Sequence, residues 1–394
     1  MKSSLLIIAL SARPFVEAAV NAGYRVVAID AFSDAQTIAL AEAALIVKYD
    51  NGGFDAEHLL QALHTLENER INSGDSQLNQ FAGFVYGSGF EAQPDLLQQV
   101  AALIPVIGNS SATLAAVKDL SVFFAVMQKL NIEHPETFEQ LPVDVDSSLY
   151  LHKFCGGSGG VHIKPAVLVQ NDWLEQHYFQ RKLEGLPVSL LFLANGTEIE
   201  VVGFNEQWVN ASTDMPFRYG GAVSHAVLSV AVQQQLLDAA RQLTTQFDLL
   251  GLNSLDAIVR TTGTGIEQVY VLEINPRLSA TVDLYNHSDG VLFECHMQAC
   301  RYRQLAGASQ LRDKYEAVSK AHAIVYTDID VMLNTEMVWP DWVTDTPVQL
   351  STPLKIVAGA PVCSVLAYAD NAVAAKKVVL ARVQQIKNLL QSTY

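Results

Sequence analysis

Three side chains that could bind a metal ion or an anion lie close together in the segment VLEINPR, residues 271–277. Glu273 and Asn275 are two positions apart, so both leave the same face of an extended strand, and Arg277 follows where a proline ends that strand. Asp256 lies at the predicted start of a neighbouring apolar strand. Two carboxylates and an amide oxygen from adjacent strands form an oxygen-rich site suited to Mg²⁺ or Mn²⁺, which neutralises nucleotide phosphates during phosphoryl transfer. The alternative is that Glu273 and Asn275 only hydrogen-bond a turn.

A lysine followed by glycines lies upstream, in the segment HKFCGGSGGVHI, residues 152–163. Lys153 is on a predicted strand, and glycines in the loop after it allow the positive φ angles that point successive amides at an anion. The lysine precedes the glycines and no Gly-Lys-Ser/Thr follows, so the loop is not a Walker motif. A plain β-hairpin turn is the alternative. The small residues of this glycine loop are Gly156, Gly157, Ser158, Gly159 and Gly160.

Two further segments are weaker candidates for nucleotide contacts. Lys118, in the helix before the glycine loop, is a second candidate for a phosphate contact, with a solvated surface lysine as the alternative. The segment FQRKLEGLPVS, residues 179–189, is predicted to be a strand that ends in polar residues and a glycine. Such a connection between two lobes could hold adenine through backbone N–H and C=O groups, with Glu184 or Gln180 reaching the ribose. An ordinary connection accounts for these residues equally well.

The strands and helices that must position these side chains begin with an alternating pattern. Short apolar runs alternate with helical patterns over the first hundred residues, which predicts a parallel sheet with helices on both faces. The turn after the first strand, residues 11–14, lacks the glycines of a dinucleotide-binding turn, and Asp30 alone is weak support for one. The predicted strands are Leu5–Leu10, Arg25–Ile29, Leu45–Lys48, Gly83–Tyr86 and Pro105–Ile107, and the predicted helices are Pro14–Ala22 and Pro94–Leu103.

The rest of the chain mixes helices with antiparallel strands. A helical segment from about 112 ends near Asn131, and Asn195-Gly196 is a strong hairpin signal. Gln233–Phe247 is an amphipathic helix, because its apolar residues recur on one face. The remaining predicted strands are Ile258–Val259, Val269–Ile274, His322–Tyr326 and Cys363–Ala367, before a last helix with Val379, Val383, Ile386 and Leu390 on one face.

Length and composition set limits on the class of protein. A chain of 394 residues suggests about two to three domains. The net charge of −16 argues against a broad nucleic-acid-binding face, and no apolar stretch reaches the roughly 20 residues of a membrane span. The opening MKSSLLIIALSA invites comparison with a signal peptide, but its short apolar run is better explained by a first buried strand. Four cysteines without CxxC or zinc spacing are predicted to be reduced thiols in a cytoplasmic protein.

Taken in order, these segments resemble the ATP-grasp superfamily from about Lys118 to Ser279. The resemblance implies an α/β and α+β protein, in which a Rossmann-like, parallel-sheet pre-ATP-grasp domain precedes two lobes that clasp ATP. It divides the chain into a pre-ATP-grasp domain (1–110), a first lobe with the glycine loop (111–186), a second lobe with the metal site (187–300) and a C-terminal extension packing on the core (301–394). It implies ATP and Mg²⁺ as cofactors and does not fix the oligomeric state, a homo-oligomer included.

By position, the resemblance also implies a role for each candidate residue. Arg218, in the segment PFRYGGA, would bind a substrate carboxylate, and Arg277 would stabilise the transferred phosphoryl group or acyl phosphate. The implied phosphate contacts are Lys118, Lys153 and the glycine loop; the implied adenine and ribose contacts are Gln180, Lys182, Leu183 and Glu184; the implied metal ligands are Asp256, Glu273 and Asn275. The chain departs from the family in having Arg181 and Lys182 where an acid is common, and Asp256 where Glu is commoner.

The implied reaction is ATP-dependent joining of a small carboxylate to an amine through an acyl phosphate. The tail motifs AHAIVYTDID, WPDWVTD and AGAPVCSVLA resemble ATP-grasp proteins of methanofuran and methylofuran pathways, whose tyramine–glutamate ligase-like members form an amide from glutamate. Two alternatives remain open. One is a carboxylase that activates bicarbonate as carboxyphosphate, and the other is a non-catalytic nucleotide-binding protein that has kept the fold.

Overall fold

The first hundred residues build a four-stranded parallel sheet in the computed structural model, which describes residues 2–50, 52–72, 81–169, 176–305, 318–334, 337–348 and 352–392. The strand order is β3-β2-β1-β6. Alternate residues of β1 face opposite sides: Leu5 and Ile7 pack with α1, whereas Leu6 and Ile8 pack with α3 and α4. The elements are β1 (Ser4–Ile8), α1 (Arg13–Asn21), β2 (Arg25–Asp30), α2 (Ala35–Leu40), β3 (Ala43–Ile46), β4 (Tyr49–Asp50), β5 (Gly53–Phe54), α3 (Ala56–Asn72), β6 (Phe84–Tyr86) and α4 (Pro94–Leu103).

The predicted elements of this domain are largely confirmed. Helix α4 has the predicted bounds, and α1 ends before Gly23, whose φ of +84° is the left-handed conformation that terminates helices. The predicted strand at 105–107 was wrong, because only Val106 forms a bridge, with Phe84. Strand β3 lies two residues earlier than predicted, because its pairing with β2 ends where Asp30 meets Ile46.

A second, smaller antiparallel sheet carries the glycine loop. Its strand order is β7-β10-β8-β9, and the loop joins β8 to β9. The predicted single helical segment is two helices, α5 and α6, bent by 75° where Asp119 ends the first and caps the second. In the described parts of the chain, no single helix meets the length and hydropathy expected of a membrane span, and this bent pair does so only jointly. The elements are α5 (Ser111–Lys118), α6 (Leu120–Lys129), β7 (Thr137–Phe138), β8 (Tyr150–Phe154), β9 (Lys164–Pro165) and β10 (His177–Arg181).

An eight-stranded antiparallel sheet, in the order β15-β14-β11-β12-β13-β16-β20-β18, forms the largest layer. The tail therefore continues the sheet of the second lobe, since β16, β20 and β18 extend it beyond β13. A separate pair, β17 and β19, completes the tail. The elements are β11 (Leu186–Asn195), β12 (Ile199–Val209), β13 (Tyr219–Ser224), α7 (Val230–Phe247), β14 (Leu250–Thr261), β15 (Glu267–Asn275), α8 (Val291–Tyr302), β16 (Ser319–Tyr326), β17 (Val331–Leu333), β18 (Val343–Thr344), β19 (Leu354–Ile356), β20 (Pro361–Ala369) and α9 (Ala372–Ser392).

The position of Asp256 in this sheet corrects the sequence-based expectation. The residue lies in the middle of β14 rather than at its start, because β14 begins at Leu250 and pairs with β11 along ten residues. Helix α7 covers this part of the sheet with the predicted apolar face, on which Leu236 and Leu243 are buried. A rigid, well-packed pair of strands therefore carries the candidate metal ligands.

A buried ionic cluster joins the N-terminal domain to the rest of the chain. Arg13 contacts Asp283 at 2.7 Å and Asp345 at 2.8 Å, and Lys320 contacts Asp283 at 3.1 Å. Burial opposes the charge of Asp283, but Arg13 and Lys320 outweigh it and hold the pKa of that carboxyl far below its usual value. The cluster fixes α1 against both the segment after β15 and the tail.

Candidate active site

Asp256 and Glu273 are cross-strand partners on β14 and β15, so their carboxylates lie side by side on one face of the large sheet. Burial, and then the neighbouring charge of Glu273, raises the pKa of Asp256 to about 7. Two amides brace this carboxylate: Asn275 donates to it over 2.9 Å and Gln207 over 3.3 Å. Two acidic groups held this close are an arrangement that a divalent ion would stabilise.

Two lysines approach the carboxylates from the first lobe. Lys118, the last residue of α5, contacts Glu273 at 2.9 Å. Burial works against the charge of Glu273, but Lys118, and then Lys153, lower the pKa of this carboxyl overall. Lys153 is 7% exposed and donates to the neutral side-chain oxygen of Gln180 over 2.7 Å. Burial, more than the nearby Lys118, lowers the pKa of Lys153 to about 8.

The glycine loop rests on two other parts of the chain. The backbone N–H of Tyr219 donates to the carbonyl of Gly159 over 2.8 Å. Gly160 has a φ of +69°, and a Cβ there would overlap the carbonyl oxygen of Phe217. At Gly156, with φ +75°, a Cβ would overlap the backbone of Glu91 in the N-terminal domain. Only glycine permits these close approaches, so the glycine loop packs directly against both of these neighbouring segments.

The predicted adenine segment connects the two lobes. Gln180 is buried and bonds Lys153 and Thr137 through its side chain, whereas Lys182 and Glu184 are exposed. The backbone N–H of Lys182 donates a hydrogen bond to the carbonyl of Leu149. No backbone partner is found in the described residues for the N–H groups of residues 183 and 184. The nucleotide roles of Gln180, Lys182, Leu183 and Glu184 stay predictions.

Arg277 lies next to the carboxylates and is held by a residue that the sequence did not single out. Its Nε donates to Glu91 over 2.8 Å, and its terminal nitrogens donate to Leu278 and Asn275 over 3.2 Å each. The side-chain oxygen of Asn275 therefore faces Arg277 in this structure, and its nitrogen faces Asp256. Glu91 follows strand β6 at the carboxyl end of the parallel sheet, which is where ligands bind in such sheets and is the signal that could have identified it.

Arg218 lies beyond the glycine loop, at the start of β13. It is 1% exposed and donates to Asn210 and to the carbonyl of Gly359, with its guanidinium 3.7 Å from the ring centre of Tyr326. No carboxylate pairs with it in the described residues. Its predicted contact with a substrate carboxylate stays a prediction, and the structure adds a packing role that sequence did not suggest.

Two more residues face this region without having been predicted. Gln207 braces Asp256 from β12, and no pattern in the sequence marks it. The ring of His162 lies where a side chain on Gly157 would be, and its buried Nδ1 has no hydrogen-bond partner among the described residues. Burial lowers the pKa of His162 to about 4, so the imidazole is neutral.

The donor set fits a hard divalent cation that shares its ligands with a nucleotide. Within the described ranges, no group of three or more His, Cys, Asp or Glu side chains is arranged to hold a metal ion by itself. Two adjacent carboxylates with an amide and two lysines fit an ion whose remaining ligands are phosphate oxygens. Asp256, Glu273 and Asn275 are the residues that would hold it.

The arrangement of a parallel-sheet domain, a small lobe with a glycine loop and a large antiparallel lobe is the ATP-grasp fold. Residues 118–281 match the ATP-grasp domain family, a span that begins at Lys118 and ends just after Arg277. The two lysines, the glycine loop, the carboxylates and the arginine therefore all lie within the matched domain.

Comparison with known proteins supports this class. The chain is 25% identical over 264 residues to the carbamoyl phosphate synthase arginine-specific large chain of Bacillus subtilis, covering 59% of this chain and 24% of that protein. The chain thus spans about a quarter of the length of that curated relative.

Solved structures share the fold over almost the whole chain. The biotin carboxylase domain of Hydrogenobacter thermophilus 2-oxoglutarate carboxylase, in complex with MgADP, ADP and bicarbonate, has a TM-score of 0.66 at 12% identity, covering 95% of this chain and 89% of that one. An L-amino acid ligase from Bacillus licheniformis has a TM-score of 0.62 at 14% identity, covering 98% and 97%. At these identities the similarity establishes the fold alone.

Proposed function

We propose that this protein is a magnesium- and ATP-dependent ligase that activates a small carboxylate as an acyl phosphate and joins it to an amine. The observation that carries the proposal is the pairing of Asp256 with Glu273 between two lysines and Arg277. This set matches the charge distribution of a metal–nucleotide complex, because carboxylates face the cation while lysines and arginine face phosphate oxygens.

The residues of this chain would divide the work as follows. Lys153 and Lys118 bind phosphate oxygens, and the buried position of Lys153 makes its contact strong because little water competes. A bound Mg²⁺ would neutralise charge on the terminal phosphates. Arg277 stabilises the charge on the phosphoryl group as the substrate carboxylate attacks it in line. The product of this step is an acyl phosphate and ADP.

In the second step the amine attacks the acyl carbon and phosphate leaves. The nitrogen loses a proton as the amide forms, and phosphate carries away the electron pair of the broken C–O bond. Water would destroy the acyl phosphate, so the site must exclude it. The glycine loop supports this role, since it directly follows the strand that carries Lys153 and lies against both Tyr219 and Glu91.

A narrower form of the proposal concerns the substrates. The tail motifs described above support glutamate as the acid and a tyramine- or tyrosine-like compound as the amine, as in methanofuran- or methylofuran-type cofactor synthesis. The fold similarity to an L-amino acid ligase is compatible with an amino acid substrate. The fold similarity to a biotin carboxylase domain is equally compatible with bicarbonate, so the carboxylase alternative must be part of the test.

The test is a phosphate-release screen with MgATP. Amino acids, amines and their pairs are added in turn, glutamate with tyramine among them, and bicarbonate is a separate arm. We expect ADP and phosphate to form only when an acid and an amine are both present, with an amide product found by mass spectrometry. Phosphate release that depends on bicarbonate and ignores amino acids would make the protein a carboxylase.

Two variants connect the activity to the site. Glu273→Gln is expected to abolish phosphate release by removing one metal-facing carboxylate. Glu267→Gln makes the same change at the far end of the same strand and should retain activity. If Glu273→Gln kept full turnover with MgATP, the site would not be catalytic and the protein would be a nucleotide-binding protein that has kept the fold.

A further inference from the structure

The end of strand β15 is anchored to the N-terminal domain rather than to its own lobe alone. The hydroxyl of Tyr86 lies 3.0 Å from the carbonyl oxygens of both Pro276 and Asn109, and the side-chain amide of Asn109 donates to the carbonyl of Pro276 over 2.9 Å. The backbone N–H of Leu278 in turn donates to the carbonyl of Tyr86. The backbone on both sides of Arg277 is therefore fixed by residues of, or next to, the parallel-sheet domain.

The side chain of Arg277 is fixed from the same direction. One carboxylate oxygen of Glu91 lies 2.8 Å from both Nε and one terminal nitrogen of Arg277. The other oxygen of Glu91 accepts from the backbone N–H of Gly89 over 2.6 Å. Both side chains are almost fully buried, with 2% and 8% of their surfaces exposed. Glu91 is thus locked in place and in turn determines the plane of the guanidinium.

This arrangement leaves part of Arg277 available. A guanidinium has five N–H groups, and the described residues account for four: Nε–H and one terminal N–H towards Glu91, one towards Leu278 and one towards Asn275. The nitrogen that donates to Leu278 keeps a second N–H without a partner in the part of the chain that the structure describes. That donor has a fixed direction only while Glu91 holds the opposite edge of the guanidinium.

The same loop of the N-terminal domain also receives the glycine loop. Gly156 lies against the backbone at Glu91 so closely that any Cβ would overlap it. One short segment after β6 therefore contacts both Arg277 of the large lobe and the glycine loop of the small lobe.

We propose that Glu91 is a positioning residue: it holds the guanidinium of Arg277 in the orientation that binds the transferring phosphoryl group, and its backbone receives the glycine loop when that loop closes. The proposal rests on the proposed function, because it assigns a partner to the arginine of the same site. The proposal predicts that Glu91 affects binding of the transferring phosphoryl group and not binding of the nucleotide itself.

The experiment measures MgADP affinity by calorimetry with and without aluminium fluoride, which mimics the transferring phosphoryl group. In the wild-type protein we expect aluminium fluoride to tighten MgADP binding by about tenfold or more. Glu91→Gln should lose most of this gain while its affinity for MgADP alone stays within about threefold. Glu91→Asp keeps the charge and should recover part of the gain.

A double-variant comparison separates positioning from simple structural support. Arg277→Ala should also lose the gain, and Glu91→Gln combined with Arg277→Ala should lose no more than Arg277→Ala alone, since both act through one guanidinium. The matched control is Asp345→Asn, which removes a carboxylate partner of Arg13 at another contact of the N-terminal domain and should keep the gain.

Each outcome has a distinct meaning. A full gain in Glu91→Gln, with the gain lost in Arg277→Ala, would overturn the assignment of Glu91 and leave the proposed function intact. Equal loss in Asp345→Asn would overturn it too, because any weakened domain contact would then suffice. No gain in the wild-type protein would instead remove the proposed phosphoryl transfer, and with it this assignment. If Glu91→Gln does not fold, the same comparison is made with Glu91→Asp, for which an undiminished gain would overturn the proposal.

Discussion

Lys153 directs its ammonium group at the neutral side-chain oxygen of Gln180, 2.7 Å away on the buried face of the first-lobe sheet. A buried cation is usually paired with a carboxylate, whereas no carboxylate in the described residues forms an ion pair with Lys153. Its charge is therefore weakly compensated before a nucleotide arrives. Burial lowers the pKa of Lys153 to about 8, and the weak compensation of its charge explains the affinity that we expect for phosphate oxygens.

Nucleotide binding should take up protons near pH 8.5. A fraction of Lys153 is deprotonated there in the free protein, because its pKa is about 8, and phosphate oxygens favour the charged form and raise that pKa. Calorimetry of MgATP binding in two buffers with different ionisation enthalpies measures the protons exchanged. Lys153→Met should bind MgATP about tenfold or more weakly and show no uptake. Equal uptake in Lys153→Met would assign the proton to another group.

Asp256 should contribute less to the stability of the metal-free protein as pH rises from about 4 to about 7. The pKa of this carboxyl is raised to about 7 from a usual value of 3.8, so at this residue the native state binds more protons than the unfolded state in this window. Its contribution to the free energy of unfolding must then fall as pH increases and stay reduced above pH 7, and the difference between the wild type and Asp256→Asn measures it. Asp256→Asn removes this dependence, so in EDTA at pH 8 its Tm should equal or exceed that of the wild type.

Magnesium should reverse that order. Mg²⁺ relieves the repulsion between Asp256 and Glu273 and should raise the Tm of the wild type, with a smaller rise in Asp256→Asn. Asp238→Asn, a surface change on α7, is the control and should respond to Mg²⁺ as the wild type does. An identical response of Asp256→Asn and the wild type to Mg²⁺ would argue against a metal site at this pair of strands.

Closure of the glycine loop should depend on Gly160 more than on Gly159. Both have positive φ angles, +69° and +64°, so alanine strains the backbone at each. Only at Gly160 would the new Cβ also overlap another part of the chain, the carbonyl of Phe217, whereas Gly159 has open space. Gly160→Ala should therefore lower kcat by about tenfold or more relative to Gly159→Ala and divert acyl phosphate to water. Comparable kinetics in the two variants would contradict a closing contact at Phe217.

Local patterns carried the prediction of the fold, whereas contacts between distant residues limited the prediction of the site. The strand that carries Glu273 and Asn275, helix α4 and the apolar face of α7 follow from periodicity and end signals within short windows. The alternation of strands and helices likewise gave the parallel sheet of the first domain. Each of these depends on neighbours in sequence.

The orientation of Asn275 and the role of Glu91 depend on tertiary contacts. Glu91 and Arg277 are 186 residues apart in sequence, and no local pattern links them. Asn275 was predicted as a metal ligand, but which of its side-chain atoms faces the carboxylates is decided by Asp256 on one side and Arg277 on the other. Long strands were also underestimated: polar residues inside β14 hid its true start, and the side chain of one of them, Asn253, bonds the carbonyls of Leu250 and Gly251 and the side chain of Asn109.

Arg218 is expected to contribute to stability as well as to any contact with substrate. Its buried guanidinium donates hydrogen bonds to the carbonyls of Asn210 and Gly359 and stacks on the ring of Tyr326. The substitution Arg218→Met therefore leaves these carbonyls without their hydrogen-bond donor. We expect a loss of about 3 kcal/mol, seen as a Tm lowered by several degrees. Arg241→Met on the exposed face of α7 is the control and should change the Tm little.

The same variants decide whether Arg218 also binds the substrate carboxylate. A binding role predicts that the acid identified in the phosphate-release screen raises the Tm of the wild type and of Arg241→Met but not of Arg218→Met, because the positive charge of Arg218 has no carboxylate partner in the described residues and would otherwise bind that of the substrate. An equal rise in Tm in all three proteins would mean that Arg218 has only a packing role and does not bind the substrate carboxylate. An unchanged Tm in Arg218→Met without the acid would instead contradict the packing role, since a buried guanidinium that stabilises the fold cannot be removed without loss.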